Sequence, residues 1–500
     1  MMNPKFLRSA LVYAVALAMG LVAYFGPQRD AHAIPSFARK YQTSCQTCHT
    51  VYPVLNSFGE AFRRNGYRFP SKNGSLDSDS VKAPVIALGQ DEFKKTFPNS
   101  VWPSQILEAV PLSAWVLGGV TANLPGSDAH DAAGNVFTWN GLVGEAHIFG
   151  AGSFSDTLTY MAQLTFAPDG VDIETGYLLW NDIVGPDHLV NLWIGRLFAP
   201  QLTSYGLHSS YLSDSYMPAV SIAGLYNPSG KFVVGQGHSD GIELNGVAGH
   251  RVGYSLGWLA SLTTVGGLKV RNAEELYAHV GVKIGGMSLD GEGAGAEVAD
   301  AKKPWAETSL TVDAFAYHGM TSMDNGTNAP TATAQNDKVN AVGGSLHLNL
   351  GSLLVTGGVQ LEKHNRPYPG TAPTAANPPA QTAALPGAPD FTSATAIVQW
   401  DEVDYVIYPW LVPGVRTEFT RLDLAHTDGA NAASLLRVVP GIALLPRPNV
   451  KITLLLDFER AYGLPPTGSW GPAGGAILAP VGDGSKFEAE TISANLAWAF

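Results

Sequence analysis

The stretch Glu490 to Phe500, ETISANLAWAF, alternates between apolar side chains and small or polar ones. The apolar positions are Ile492, Ala494, Leu496, Trp498 and Phe500. The positions between them are Thr491, Ser493, Asn495, Ala497 and Ala499. Because successive side chains of a β-strand point to opposite faces, this stretch predicts a strand with one apolar face.

The same alternation recurs in segments of about ten residues from roughly residue 105 to the C-terminus. Examples are DTLTYMAQLTFA at 156–167, LYAHVGVKI at 276–284, SLHLNLG at 345–351 and VKITLLLDFER at 450–460. In a soluble β-sandwich the apolar face forms the core, whereas in a membrane barrel it faces lipid and the polar face lines the lumen. Alternation alone is compatible with both.

Composition and the final strand favour the membrane barrel. Charged residues make up only 14% of the chain, against roughly 25% in soluble globular proteins, and glycine accounts for 55 of 500 residues. After the N-terminus, no stretch is long and apolar enough for a transmembrane helix. A last strand that ends on Phe500, with Trp498 before it, is typical of the closing strand of bacterial outer-membrane proteins. We therefore predict a mostly β fold, a transmembrane antiparallel β-barrel of roughly 16 strands over residues 101–500.

Aperiodic segments rich in Ala, Pro, Gly and Thr separate the predicted strands. We predict long extracellular loops at 291–303, 321–337, 364–391 and 463–486. Short links at 246–249 and 446–449 are predicted to be periplasmic turns.

The N-terminus has the features of a secretory signal peptide over residues 1–33. Lys5 and Arg8 precede an apolar run, and AHA at 31–33 supplies a small-residue cleavage site. The alternative is a membrane anchor, because the apolar run is longer than that of most signal peptides. The formal net charge of −12 argues against nucleic acid as a partner.

The two cysteines of the chain stand in SCQTCHTVYPVLNSFG, residues 44–59. A disulfide or a thioredoxin-like pair does not need the histidine that follows, and no βαβ pattern is present. A structural zinc site would need further ligands close by. The third interpretation is one covalent haem c, with thioethers to Cys45 and Cys48 and with His49 as the proximal ligand of the iron. We predict this third site.

The residues around the motif suit a small haem-binding segment. Aromatic and aliphatic side chains between Phe37 and Phe69 are suited to cover a porphyrin ring. The arginines that are candidates to pair with its propionates are Arg39, Arg63, Arg64 and Arg68. Alternatively, they form a solvated face or pair with lumen carboxylates. Asn56 or Ser57 is predicted to cap a short helix that Gly66 ends.

The haem segment is too short to build a secure core alone, because domains of about 40 to 65 residues bury little apolar surface. We expect residues 34–100, the haem segment and its linker, to depend on the barrel. The most direct arrangement is a helical plug in or beneath the lumen.

The stretch IPSFARKYQTSCQTCHTVYPVLNSFGEAFRRNGYRF at 34–69, after a signal peptide and before a barrel, resembles the fused monohaem cytochrome-porins of the bacterial outer membrane. These are best known as iron(II) oxidases of iron-oxidising bacteria. The resemblance implies electron transfer from extracellular Fe(II) to a soluble periplasmic c-type cytochrome, an iron(II):cytochrome c oxidoreductase activity. The chain departs from the iron-oxidising members at residues 42–44, where they carry a different stretch ending in Gly-Met, so the donor and the direction of flow stay open.

A distal iron ligand is not evident near the motif, since neither Met nor His follows His49 until His130. It would then come from the barrel or its loops. Strand parity and loop position give the candidates His147, His279, His347, His208 and Met217. Each has an alternative role as a hydrogen-bonded lumen residue, and the iron could also be open or water-bound.

The predicted function is electron transfer across the outer membrane through one haem held in or near the barrel, with the haem segment in the lumen or on the periplasmic side. The alternative is an outer-membrane solute channel whose haem segment is a plug, a gate or a redox sensor. The carboxylates assigned to the lumen are Asp240, Glu243, Asp313, Glu362, Glu418, Asp457 and Glu459. They would favour cations, unless they form salt bridges with Arg251, Arg416 and Lys451.

Overall fold

The computed structural model describes residues 37, 45–68, 112–125, 127, 137–139, 141–155, 157–168, 170–185, 188–198, 212, 238–265, 268–291, 305–324, 335–365, 391–426, 429–462 and 486–499. The predicted signal peptide, the linker at 69–111 and Phe500 lie outside these residues. The described chain consists of a small N-terminal segment and a closed β-barrel.

The N-terminal segment, residues 45–68, contains two short helices and a minimal sheet. Its elements are helix α1 Cys45–Cys48, strand β1 His49–Val51, strand β2 Val54–Leu55 and helix α2 Ser57–Arg64. Asn56 is the N-cap of α2, and Gly66 follows its end with a φ of +68°, so the predicted capped helix is confirmed. Among the described residues, no helix has the length and hydropathy of a membrane span.

The barrel begins after residue 111. Its strands are β3 Leu112–Asn123, β4 Phe137–Trp139, β5 Glu145–Ser153, β6 Leu158–Ala167, β7 Gly170–Trp180, β8 Asn191–Phe198, β9 His238–Ala248, β10 Val252–Val265, β11 Leu268–Gly285, β12 Glu307–Asp324, β13 Gln335–Gly351, β14 Leu353–Asn365, β15 Phe391–Tyr405, β16 Leu411–His426, β17 Gly429–Arg447, β18 Val450–Tyr462 and β19 Lys486–Ala499. Neighbouring strands pair antiparallel, and β19 closes the ring on β3. Sixteen strands form the described wall, because the three-residue β4 only lies alongside β3. The predicted mostly β fold with a barrel of roughly 16 antiparallel strands is confirmed.

Alternation gives the wall an apolar outside and a more polar inside. On β13, Val342, Leu346 and Leu350 are exposed on the outer face, whereas Ser345 and Asn349 on the inner face are buried. A row of exposed apolar side chains around a closed barrel is the surface expected of a protein that faces lipid.

The two ends of the barrel differ in most of their connections, although two-residue links occur at both ends. At one end, here called the short-turn end, residues 249–251, Ser352 and 448–449 connect the strands. The predicted turns at 246–249 and 446–449 lie at this end, although β9 and β17 extend into them. Such short turns are typical of the periplasmic end of outer-membrane barrels.

Three of the four predicted long loops leave the opposite end of the barrel. The strands extend into one of them, since β12 ends at Asp324 and β13 begins at Gln335. Residues 325–334 of this loop lie outside the described residues, and so do residues 366–390 and 463–485 of the other two loops.

The fourth predicted loop, 291–303, was assigned to the wrong end. It belongs to the connection from β11 to β12, whose ends at Gly285 and Glu307 lie at the short-turn end. Composition predicted a loop there, but in an antiparallel barrel the number of preceding strands decides its end. Residues 292–304 themselves lie outside the described residues.

The wall is uneven in height. Strands β5 to β7 are 9 to 11 residues long, whereas β11 to β13 and β17 are 17 to 19 residues long. About 9 to 11 residues suffice for a tilted strand to cross the lipid core. The longer strands therefore extend well beyond it.

Charged side chains of the lumen are paired between neighbouring strands. Arg416 Nε donates to Glu418 Oε1 at 2.6 Å, and its Nη1 lies 3.5 Å from Glu402 Oε2. Arg437 Nη1 donates to Glu418 Oε2 at 3.2 Å, and its Nε donates to Asp457 Oδ2 at 2.9 Å. For these carboxylates, salt bridging explains the lumen charge without a cation pathway.

One of the predicted lumen carboxylates is not in the lumen. Asp240 is exposed and alternates with the buried Ser239, while Glu243 is buried on the inner face. Arg251 also differs from its predicted role, because it donates to the carbonyl oxygens of Gly285 and Gly286 at 2.7 and 3.1 Å.

Replacing Arg416 with Leu should destabilise the barrel. Glu402 and Glu418, both nearly fully buried, would lose their shared cation, and breaking a buried pair typically costs about 3–5 kcal/mol. The free energy of unfolding of the detergent-folded protein, followed in urea by tryptophan fluorescence, measures this loss. The matched control is Arg421→Leu, whose exposed pair with Asp423 should contribute little. Equal losses in the two variants would contradict the argument.

Candidate functional site

The N-terminal segment lies inside the short-turn end of the barrel. Leu55 and Tyr67 pack against a buried group of side chains from seven strands, here called the lumen cluster. Its members are Leu179, Trp193, Leu197, Leu259, Tyr277, Phe315, Tyr317, Val339, Ala341, Val398 and Trp400. Val51 and Val54 pack with Trp305 and Val406 at the base of the wall. The segment thus occupies the position predicted for a plug.

The Cys-x-x-Cys-His turn has a defined shape within this segment. Cys45 and Cys48 are the two ends of α1, and His49 follows at once as the first residue of β1. All three are half-buried, whereas Thr47 and Thr50 beside them are buried. The three predicted haem-binding residues therefore keep part of their surface open on a turn that is otherwise packed.

The ring of His49 is fixed by the backbone. Its Nδ1 lies 3.0 Å from the carbonyl oxygen of Pro53, which can only accept a hydrogen bond. Nδ1 therefore carries the proton, and Nε2 carries the lone pair that could bind a metal. Burial lowers the pKa of His49 to about 4, so the ring is neutral at physiological pH.

The thiols of this turn are protonated and not cross-linked to each other. Both cysteines are free. Burial raises the pKa of Cys45, and burial together with the nearby Cys45 raises the pKa of Cys48 to about 12. Thiolate is the form of cysteine that binds metal or attacks a disulfide, and raised pKa values leave little of it at neutral pH.

The side chain of Asn56 connects α1 to α2. Its Nδ2 donates to the carbonyl oxygens of Gln46 and Thr47 at 3.1 and 3.0 Å. Its Oδ1 accepts from Gly59 N at 3.0 Å, and its own N–H donates to Cys48 O at 2.9 Å. One residue therefore satisfies backbone groups of both helices and sets how α2 lies on the Cys-x-x-Cys turn.

Gly59 allows the close approach of these two helices. A Cβ atom at this position would overlap the carbonyl oxygen of Cys48 and press on Leu55. A larger residue would push α2 away from the turn that holds the cysteines.

Polar contacts fasten the segment to the barrel wall. Lys283 Nζ lies 2.8 Å from both Ser57 Oγ and Glu307 Oε1, and Ser57 Oγ donates to the same Glu307 oxygen at 2.6 Å. Arg68 pairs with Asp182 at 2.8 Å. Further along, Asn65 Nδ2 donates to Asp290 O at 2.9 Å and the hydroxyl groups of Tyr67 and Tyr177 are 3.0 Å apart.

The arginines proposed for the propionates are engaged with the protein. Arg63 pairs with Glu60 of its own helix at 3.1 Å, and Arg68 pairs at 2.8 Å with Asp182 in the connection from β7 to β8. Arg64 Nη1 lies beside Gly253 of β10 on the lumen wall. Arg39 lies outside the described residues.

The candidate distal ligands are placed apart from one another. His147 is buried, with Nε2 3.2 Å from Glu145 and Nδ1 2.9 Å from Thr165 Oγ1, so both ring nitrogens have neighbours. His279 Nε2 lies 3.3 Å from Asp313. His347 is half-buried on the inner face of β13. His208 and Met217 lie outside the described residues.

A line of aromatic rings links the motif to the wall, which the sequence does not indicate. The ring centroids of His49 and Tyr52 are 5.1 Å apart, those of Tyr52 and Trp115 5.8 Å, and those of Trp115 and His147 5.1 Å. These contacts connect the distal candidate His147 to the motif, with the rings of Tyr52 and Trp115 between it and His49.

The donor set fits haem c better than a bare metal ion. The turn offers two thiols, one neutral imidazole with a fixed tautomer, and an apolar surround of Val51, Val54 and Phe58. Within the described residues, no three His, Cys, Asp or Glu side chains are grouped as a metal site would require.

Comparison with known proteins finds similarity in shape alone. No protein-family model matches the chain, and no curated protein matches its sequence. Similar solved structures include OmpT of Vibrio cholerae, with 11% identity and a TM-score of 0.44 over 79% of this chain and 100% of that one. An anion-selective porin from Comamonas acidovorans has 12% identity and a TM-score of 0.46 over 78% and 98%. The outer-membrane channel DcaP of Acinetobacter baumannii has 10% identity and a TM-score of 0.43 over 78% and 96%. Similarity at this level carries no functional argument.

Two substitutions of Asn56 should separate its two roles. Asn56→Ala removes the helix cap and both carbonyl contacts, and loss of an N-cap costs about 0.5–2 kcal/mol. Asn56→Asp keeps an oxygen for Gly59 N but removes the donors to Gln46 and Thr47. Hydrogen exchange, read by mass spectrometry, should rise in residues 45–48 for both variants and in 57–64 for Asn56→Ala alone. Unchanged exchange in 45–48 would show that Asn56 does not hold the turn.

Proposed function

We propose that the protein transfers electrons across the bacterial outer membrane through one haem c attached to Cys45 and Cys48, with His49 as the proximal iron ligand. The donor is extracellular, with Fe(II) as the proposed case, and the acceptor is a soluble periplasmic c-type cytochrome. The observation that supports this most strongly is the Cys-x-x-Cys-His turn held inside a barrel, with the tautomer of His49 fixed by Pro53.

The proposed location is the outer membrane. A closed barrel pairs its backbone groups internally and presents exposed apolar side chains outward, as lipid requires. With the short turns facing the periplasm, residues 45–68 lie at the periplasmic end of the lumen. A periplasmic electron carrier would then reach the segment directly from the periplasm.

The residues of the chain give the site a fixed Cys-x-x-Cys turn, a fixed histidine ring and an apolar barrier toward the opposite end of the barrel. Asn56 and Gly59 hold α2 against the Cys-x-x-Cys turn, and Pro53 holds the ring of His49. Haem supplies one-electron redox chemistry when it is bound. The lumen cluster above Leu55 and Tyr67 is apolar and buried, so it opposes the entry of hydrated ions from the opposite end.

The proposed iron chemistry balances as a one-electron exchange. Each Fe(II) that loses one electron outside becomes Fe(III), and one ferric cytochrome in the periplasm becomes ferrous. Neither a proton acceptor nor a substrate cavity is needed. The activity is that of an iron(II):cytochrome c oxidoreductase, in which insoluble Fe(III) stays outside.

The alternative function is a solute channel in which the N-terminal segment is a removable plug or a redox sensor. The polar contacts made by Lys283, Glu307 and Asp182 favour it, because a polar interface can open to water at less cost than an apolar one. The buried lumen cluster argues against free passage, since it packs directly on the segment.

Haem attachment should depend on the two cysteines and not on the wall histidines. The full chain, made in a host that matures c-type cytochromes, should gain the mass of one haem and give a c-type pyridine haemochrome. Cys45→Ala combined with Cys48→Ala should abolish both signals. The control His147→Ala should keep the attached haem. Haem that extracts into acidic acetone from the unsubstituted protein would contradict covalent attachment.

Electron transfer should cross a sealed membrane. In liposomes that hold oxidised c-type cytochrome inside, Fe(II) added outside should reduce the inner cytochrome, followed by its α band. The variant without Cys45 and Cys48 should show at least about tenfold slower reduction, because the lipid layer and the lumen cluster block direct contact. A retained fluorescent dye checks that the vesicles stay closed.

The same preparation separates the two functions. Conductance in planar bilayers should stay far below that of an open porin. Reduction of the inner cytochrome without open-porin conductance supports electron transfer. Open-porin conductance with equally fast reduction in both variants would instead support the channel.

A further inference from the structure

Asp401 is a charged side chain in the middle of the apolar belt on the outer face of the barrel. On β14, the outward positions are Leu353, Val355, Gly357, Val359 and Leu361, with Lys363 above them. Asp401 on β15 stands directly opposite Gly357, the central position of this row. On the other side, Thr417 of β16 stands opposite Asp401. A carboxylate on the lipid-facing surface at this depth is unfavourable, because acyl chains offer it no hydrogen-bond donor.

The position of Asp401 on the outer face follows from its neighbours. Glu402 and Trp400 on either side of it are buried in the lumen, while Val403 and Tyr405 on its own face are exposed. A Cβ at Gly357 would collide with Oδ1 of Asp401, so the carboxylate lies flat over this glycine.

Asp401 belongs to a small polar patch. Gln399 is exposed and donates from Nε2 to Asp401 Oδ2 at 3.0 Å, and Thr417 is half-buried beside them. We define the belt patch as Asp401, Gln399, Thr417 and Gly357. Exposed apolar side chains surround it, among them Leu346, Val359, Leu361, Val403, Val415 and Phe419.

We propose that the belt patch is the contact surface for a second copy of this chain, related by a two-fold axis along the membrane normal. Two barrels inserted in the same direction can be related only by rotation about that normal, which keeps every residue at its own depth. A second copy therefore presents a carboxylate, an amide and a hydroxyl at the depth where the first copy needs them.

The register of β15 and β16 gives the pairing. Because Asp401 and Thr417 are direct neighbours across these strands, an axis that passes between them sets Asp401 of each copy against Thr417 of the other. The hydroxyl of Thr417 and the second amide hydrogen of Gln399 are donors, and the carboxylate of Asp401 is the acceptor. Because Gly357 has no side chain, the outer surface has a shallow depression there, and two barrel walls can approach closely.

A different membrane protein would need matching donors at this same depth, whereas a second copy has them by symmetry. Hydrogen-bond donors and an acceptor within one patch are what an isologous contact requires. The inference does not involve residues 45–68, so loss of haem binding would leave it unaffected.

The mass of the full-length protein in mild detergent, measured by light scattering, tests the contact. The unsubstituted protein should contain two copies per particle. The double substitution Asp401→Leu with Gln399→Leu should give one copy, a twofold fall in protein mass, and its barrel should stay folded, because leucine suits lipid better. The control His318→Leu removes an exposed polar side chain on β12, outside the patch, and should leave two copies.

Photo-crosslinking in native outer membranes tests the same surface without detergent. A photoreactive side chain at position 417 should give an adduct of twice the chain mass. The same side chain in place of Leu178, exposed on β7 at the far side of the barrel, should give none. One copy per particle together with no doubled adduct at 417 would overturn the proposal. So would two copies in the doubly substituted protein, or an adduct at 417 with a different protein.

Discussion

Nine residue pairs join β19 to β3, from Thr491 with Asn123 to Ala499 with Trp115. In lipid, each unpaired backbone group costs several kcal/mol, so a sheet with two free edges would not persist there. Closure removes both edges and at the same time creates an inside. Closure therefore assigns the two faces of each alternating strand. One set of side chains meets lipid, and the other lines a lumen that can hold residues 45–68.

The lumen combines two kinds of surface, and the N-terminal segment uses both. Leu55 and Tyr67 rest on the apolar lumen cluster, whereas Ser57 and Arg68 meet charged groups of the wall. The segment in turn is shaped from within by Asn56, whose amide reaches two carbonyl oxygens of the Cys-x-x-Cys turn. A short chain without a core of its own thereby acquires a fixed turn, since its backbone groups are satisfied locally and its apolar side chains are covered by the barrel.

The sequence predicted the parts of this structure that depend on local pattern. Period-two alternation predicted the barrel, and Asn56 followed by an apolar helix face predicted α2. Features that depend on how the strands pair could not be predicted from the sequence. The connection at 291–303 was assigned to the wrong end, and Asp240 to the wrong face, because a single strand boundary shifts both assignments. The contact of His49 with Pro53, the approach of Lys283 to Ser57 and the central depth of Asp401 arise between distant residues and left no signal in composition or spacing.

The uneven wall gives the barrel an oblique mouth. Strands β11 to β13 exceed β5 to β7 by about eight residues, which at ~3.3 Å per residue and a tilt of ~40° corresponds to a wall roughly 20 Å taller on one side. As far as the described strands define it, the rim therefore faces sideways as well as outward. In the proposed orientation, a flat solid laid on the cell surface would touch the taller side first, while dissolved species would approach over the lower side, above His147 and Glu174.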